Sequence, residues 1–269
     1  MKSKYKLSII ICITLIIAGY MIFAPGTEKH QNIAIAGSTS VQPSAEKLSE
    51  KFMEENPLTK ITVQGGGSST GLNSVKKKTA QIGTYSTKLK EDSKVKQTKI
   101  ASDGITIIVN PSNKVTDLTK EQVKGIFTGE ITDWSQVGGT PGKINVVSRE
   151  DGSGTRDAVT KVALDDKDIV KTAIIQSSTG SLMQTVSSDP NAIGYASLSD
   201  LRENEVKTLS INKVPATKET IKDGSYVIQR PFLFLTSPNP DTSTQQFIDW
   251  VLGPEGQKII EDEGLVPVN

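Results

Sequence analysis

Apolar residues recur along this chain in short runs of two kinds, separated by turns rich in glycine, serine and threonine. Alternating or continuous apolar runs predict β-strands at 32–37 (NIAIAG), 61–64, 105–110 (ITIIVN), 144–147, 172–175, 192–196, 206–211 and 231–236 (PFLFLT). Apolar positions spaced three and four apart predict helices at 43–56, 70–78, 118–127, 155–164, 180–188, 242–253 and 254–264. Pro254 suits a first helical turn and Gly264 a C-terminal stop, so the last helix is well punctuated. Strands alternating with helices build βαβ units, and sheets covered on both faces follow: the class is α/β.

One stretch departs from this pattern. Residues 7–23 (LSIIICITLIIAGYMIF) form an almost unbroken apolar run behind the basic start MKSKYK. As a helix at ~1.5 Å per residue it would be about 25 Å long, long for a signal-peptide core and slightly short for a membrane span. Ala24-Pro25-Gly26 is a poor cleavage site, and Ile11 before Cys12 does not suit lipid attachment. Residues 1–26 therefore read as a signal peptide or an N-terminal membrane anchor, and the rest as exported.

Composition then removes whole classes of chemistry. Of 31 basic and 30 acidic residues, 28 and 30 lie beyond residue 26, a near-neutral balance that argues against nucleic acid. The single cysteine lies in the apolar run, so the exported part has neither a disulfide framework nor thiolate metal ligands. His30 is the only histidine, and the carboxylates show no metal-ligand spacing. Neither a metal nor a cofactor is expected.

What remains is a recurrent loop. GSTSVQP (37–43), QGGGSSTG (64–71) and SREDGSGTR (148–156) each follow a predicted strand and precede a predicted helix. Ligands bind at the carboxyl ends of strands in such sheets. Gly67-Ser68-Ser69-Thr70-Gly71 matches the G-x-S-x-G nucleophile elbow, but that mechanism needs a histidine after the serine and none follows His30. The Walker and dinucleotide-binding patterns fail on their glycine and lysine spacing, and the chain is not expected to be an enzyme. Helix N-termini carry free N–H groups and partial positive charge; hydroxyls donate without adding charge, and an arginine grips two oxygens. SREDGSGTR can thus hold a small tetrahedral anion, with Arg149 as clamp and Ser153, the Gly154 N–H and Thr155 donating from the helix start.

With these loops in view, the chain resembles the phosphate-binding proteins (PstS) of ABC phosphate importers, over nearly all of 32–269. GSTSVQP, QGGGSSTG, IFTGEITDWSQVGG (126–139), SREDGSGTR and NAIGYASL (191–198) stand in the order of that family. The resemblance implies a two-lobed periplasmic-binding-protein fold of type II, with two crossover segments and the ligand cleft between the lobes. One lobe would be 27–104 with 229–269, the other 105–228. It further implies ligand residues at Thr39, Ser40, Ser68, Arg149, Ser153, Gly154 and Thr155, with Asp151 orienting the arginine. Several members carry an aspartate where this chain has Ser86, which would accept or donate as a hydroxyl. The implied function is capture of inorganic phosphate, outside the cytoplasm, by a monomer that delivers it to a permease and is tethered to the membrane if 1–26 is uncleaved. The alternative is a receptor for another oxyanion: tungstate, molybdate or sulfate.

Overall fold

A computed structural model describes residues 30–91, 94–201 and 205–268. The expectation for 1–26 lies outside them. Among the described residues, no helix is long and apolar enough to cross a membrane.

In chain order the elements are β1 (Gln31–Gly37), α1 (Gln42–Glu55), β2 (Thr59–Gly65), α2 (Ser68–Lys76), β3 (Ile82–Tyr85) and β4 (Lys96–Val109). There follow β5 (Asp117–Leu118), α3 (Lys120–Thr128), β6 (Asn145–Arg149), α4 (Gly154–Val162), β7 (Ile174–Gln176), α5 (Thr179–Ser188) and β8 (Ala192–Ser197). β9 (Lys207–Ile211), α6 (Lys218–Lys222), β10 (Gln229–Thr236), α7 (Thr242–Leu252) and α8 (Pro254–Asp262) complete the chain.

The strands run in the order β2-β1-β3-β10-β4-β8-β6-β7, with β9 also on β4 and β5 on β9. β4 belongs to two sheets. Its residues Lys96–Gly104 pair antiparallel with β10, and Ile105–Val109 pair antiparallel with β8 and β9. The apolar pattern predicts only the second half of this strand. KQTKIASDG is too polar to announce itself, and becomes a strand because β10 supplies its hydrogen-bond ladder. β3 escapes the pattern too: IGTY is buried at every position but carries a glycine and a threonine in place of an apolar run.

Burial divides the molecule on either side of that double strand. One core packs Ile33, Ile35, Leu48, Phe52, Ile100 and Ala101 with Phe232, Phe234, Phe247 and Ile260. The other packs Ile105, Ile107, Phe127, Trp134, Val147, Leu182, Tyr195 and Ile228. Each buried large apolar side chain contributes about 1.5–3 kcal/mol by leaving water, so each lobe is held by its own interior. The chain passes between the cores twice, near 101–105 on β4 and near 228–232 at the start of β10. This is the two-lobed α/β architecture with two crossovers.

Candidate functional site

Four helices begin where strands of the two sheets end. α1 follows β1 through Ser38-Thr39-Ser40, α2 follows β2 through Gly66-Gly67, α4 follows β6 through 150–153, and α5 follows β7 through Ser177-Ser178. Two of these turns need glycine: Gly67 has φ 87° and Gly152 φ 90°, left-handed values that a side chain disfavours. There the loops of the two lobes meet, the Ser69 N–H donating to the Gly152 carbonyl at 3.1 Å.

Arg149 closes β6 and is only 2 % exposed. Its Nε and Nη2 donate to Glu150 Oε2 and Oε1, both at 2.9 Å, a bidentate pair. Its Nη1 donates to Thr179 Oγ1 and, in the other lobe, to Thr39 Oγ1, both at 3.1 Å. The backbone is pinned as well, for the Arg149 N–H donates to the Tyr195 hydroxyl at 3.0 Å. Burial pushes the Tyr195 phenol up, which keeps that hydroxyl protonated and able to donate in turn to Ser148 Oγ at 2.8 Å.

From the arginine a chain of hydroxyls crosses between the lobes. Thr179 Oγ1 lies 3.2 Å from Ser40 Oγ, and Ser40 Oγ lies 2.9 Å from Thr155 Oγ1. Thr155 Oγ1 accepts from Arg230 Nη1 at 2.6 Å. Arg230 Nη1 also donates to Ser86 Oγ at 3.2 Å, and Ser86 Oγ accepts from Ser38 Oγ at 2.9 Å and lies 3.3 Å from Ser68 Oγ. Gly154 packs against the last two: a Cβ there would come within 2.2 Å of Ser68 Oγ and 2.6 Å of Ser86 Oγ. Behind Arg230 stands Asp103, whose Oδ2 accepts from Arg230 Nε at 2.8 Å and whose Oδ1 accepts from Ser197 Oγ at 2.7 Å. Burial pushes the Asp103 carboxyl up; Arg230, Ser197 and the Leu198 amide pull it back.

Thr39, Ser40, Ser68, Ser86, Arg149, Gly154 and Thr155 therefore gather in one buried cluster, fed from both lobes. Ser153 is buried beside them but works as the N-cap of α4, its Oγ accepting from the Arg156 N–H at 3.3 Å. Asp151 is not the acid that holds Arg149. Its side chain is almost wholly exposed and bonds Arg156 at 2.5 Å, while Glu150 takes Arg149. The reason is local: the tight turn at Asp151-Gly152 throws Asp151 outward, and Glu150, one methylene longer, lays its carboxylate alongside the guanidinium.

The cluster also contains Ser38, Asp103, Thr179 and Arg230, which sequence reasoning missed. Thr179 had a signal, since SSTG recurs at 68–71 and 177–180. Arg230 and Asp103 had none, for neither lies in a glycine- or hydroxyl-rich loop. Among the described residues no group of three or more His, Cys, Asp or Glu side chains is placed to hold a metal. A groove of about 690 Å³ opens beside Thr39 and Thr179, lined from both lobes by residues including Lys47, Met183 and Leu201.

The chain has relatives among known proteins. Residues 24–255 match the model of the PBP superfamily domain. The chain is 36% identical over 252 residues to the phosphate-binding protein PstS of Bacillus subtilis, covering 91% of this chain and 84% of that protein. It is 30% identical over 274 residues to PstS of Borreliella burgdorferi, covering 97% and 98%. Among solved structures it is similar to a phosphate ABC transporter substrate-binding protein with bound phosphate from Clostridium perfringens, with TM-score 0.85, 37% identity and coverage of 89% and 100%. An ABC-type phosphate transport receptor from Vibrio cholerae gives TM-score 0.73 at 35% identity, covering 87% and 99%.

Proposed function

Because the chain belongs to the PBP superfamily and, within it, to the phosphate-binding proteins PstS, we propose that it captures inorganic phosphate for an ABC importer by closing two lobes around the anion. Its relatives are receptors of a transport system, not enzymes. We assign 27–104 with 229–269 to one lobe and 105–228 to the other.

The observation that carries the reading is the buried guanidinium of Arg149, reaching hydroxyls of both lobes at 3.1 Å. Thr39 and Ser40 bond Arg149, Thr155 and Thr179 across the cleft, while Ser68 and Ser86 bond each other and Arg230 within their own lobe. A tetrahedral anion offers acceptors to all of them, together with the Gly154 N–H at the start of α4. Neutral hydroxyl–hydroxyl bonds are then exchanged for charge-assisted ones, roughly twice as strong. These bonds come from both lobes, so the anion stabilises the closed form over the open one.

Phosphate has five heavy atoms, and at ~1.5 kcal/mol each the contacts reach about 7.5 kcal/mol, a low-micromolar Kd. Charge-assisted bonds in a dry cleft extend the range downward to tens of nanomolar. The protein acts as a monomer on the extracytoplasmic face, hands phosphate to the permease subunits, and is tethered through its N-terminal segment where that is retained. Calorimetric titration of the purified protein, stripped of anion by unfolding and refolding, tests this. Tight one-to-one phosphate binding is expected. A response to tungstate or molybdate with silence toward phosphate would keep the fold and overturn the substrate.

A further inference from the structure

Arg149 is mounted within a lobe; Arg230 is mounted on the hinge. It sits at the start of β10, one crossing between the lobes, directly opposite Asp103 on β4, the other crossing. Both residues are buried, at 4 % and 1 % exposure. Asp103 spends one oxygen on Arg230 Nε and the other on Ser197. Arg230 reaches out of its own lobe with Nη1, donating to Thr155 of the other at 2.6 Å. The Phe232 ring lies 5.1 Å from its guanidinium carbon.

Nη2 of the same guanidinium is buried and has no hydrogen-bond partner. A buried charged donor left without an acceptor carries its full desolvation cost, and such groups persist where something else accepts from them. Arg230 Nη1 already touches Thr155 and Ser86, two members of the hydroxyl cluster, so Nη2 of the same planar fork stands at that cluster's edge. The charges agree. Of the carboxylates on these arginines, Glu150 turns both oxygens onto Arg149, and Asp103 turns one onto Arg230 and the other onto Ser197. The side chains that link the two cations, Thr39, Thr179, Ser40 and Thr155, are hydroxyls, which add no charge and accept or donate as required.

We propose that Arg230, held at the hinge by Asp103, is a second anion-contacting guanidinium, and that with Arg149 it makes the cleft a receptor for tetrahedral dianions selected by charge, sulfate as well as hydrogen phosphate. This rests on the phosphate reading above. Hydrogen phosphate carries a proton and sulfate does not; a cleft whose facing groups are hydroxyls accommodates either, whereas a carboxylate aimed at the ligand would admit only the protonated one. Arg230 also joins both lobes to the anion at once, so occupancy pulls on the crossing strands themselves.

The test is calorimetric titration of the purified protein and of Arg230→Lys, Arg230→Gln and Arg149→Ala with phosphate and with sulfate, circular dichroism confirming each fold. Arg230→Lys keeps a cation for Asp103 but loses the planar fork, which guards against simple misfolding. A hydrogen bond to a charged group is worth ~1.5–3 kcal/mol, so Arg230→Lys should weaken both anions by about 10- to 150-fold. Wild-type sulfate binding within about a hundredfold of phosphate supports selection by charge. Unchanged phosphate and sulfate affinities in a folded Arg230→Lys would overturn the inference while leaving the phosphate reading intact, provided Arg149→Ala abolishes binding. Sulfate excluded by more than about a thousandfold would overturn charge selection. A wild type that binds sulfate and not phosphate overturns the phosphate reading, and the Arg230 variants then decide the contact on sulfate alone; one that binds neither overturns both.

Discussion

The two buried arginines of the cleft are neutralised at opposite extremes of sequence distance. Arg149 takes the carboxylate of the next residue, Glu150, which is half-exposed and grips it through two oxygens. Arg230 takes Asp103, 127 residues away and fully buried, through one. The first pair is made by a strand end running into a turn. The second exists only because two strands pass between the lobes in a particular register. A local pair at the surface of a cleft can adjust as the lobes move; a buried pair between crossing strands is part of the frame on which they move.

Breaking each pair should expose that difference. The largest effect falls on stability: Asp103→Ala leaves the Arg230 charge buried without its partner and should cost about 3–5 kcal/mol, read as a large fall in the denaturant midpoint. Glu150→Gln should cost stability less than that, because the carboxylate is partly in water, the amide oxygen still accepts from Arg149, and Arg149 keeps Thr39 and Thr179 as acceptors. An equal loss in the two variants would sink the distinction between frame and clamp.

On the ligand side, Arg149→Ala should weaken phosphate by at least ~2–3 kcal/mol, since a buried anion loses its countercharge; titration calorimetry measures it. Gly154→Ala tests closure without touching charge. The new methyl meets Ser68 and Ser86 across the cleft, and overpacking of this kind costs about 1–3 kcal/mol, expected in affinity more than in melting temperature. Full-strength binding by that variant would mean the lobes do not close as tightly as here.

The smallest effect belongs to an exposed carboxylate at the surface. Lys120 and Lys124 hold Asp165 down to about 2. A carboxyl depressed on folding adds stability above its unfolded value near 3.9 and gives it up as pH falls toward 2. Asp165→Asn should therefore match the wild type near pH 2 and fall slightly below it at neutral pH in thermal melts.

Much of the site was legible because its parts are local. Three strand-to-helix loops advertise glycine for the turn and hydroxyls for the helix start, and those loops deliver Thr39, Ser40, Ser68, Arg149, Gly154 and Thr155 to one place. Thr39, Ser40 and Ser68 were singled out within their loops by the resemblance, and so was Ser86, which lies in no such loop yet sits among them. Legibility failed where a turn chose between neighbours. Glu150 and Asp151 are equivalent acids on paper, and the left-handed Gly152 decided which of them faces the arginine.

The sequence by itself determined the α/β class, the positions of most strands and helices, and the chemistry of the loops, because hydrophobic period, capping and turn preference act over a few residues. Tertiary structure alone decided that a polar segment, KQTKIASDG, is half of a strand shared by two sheets. It alone set Asp103 against Arg230, and carried Thr155 and Thr179 to the hydroxyls of the other lobe. Strand register and lobe closure are fixed by partners a hundred residues away, and no local pattern records them.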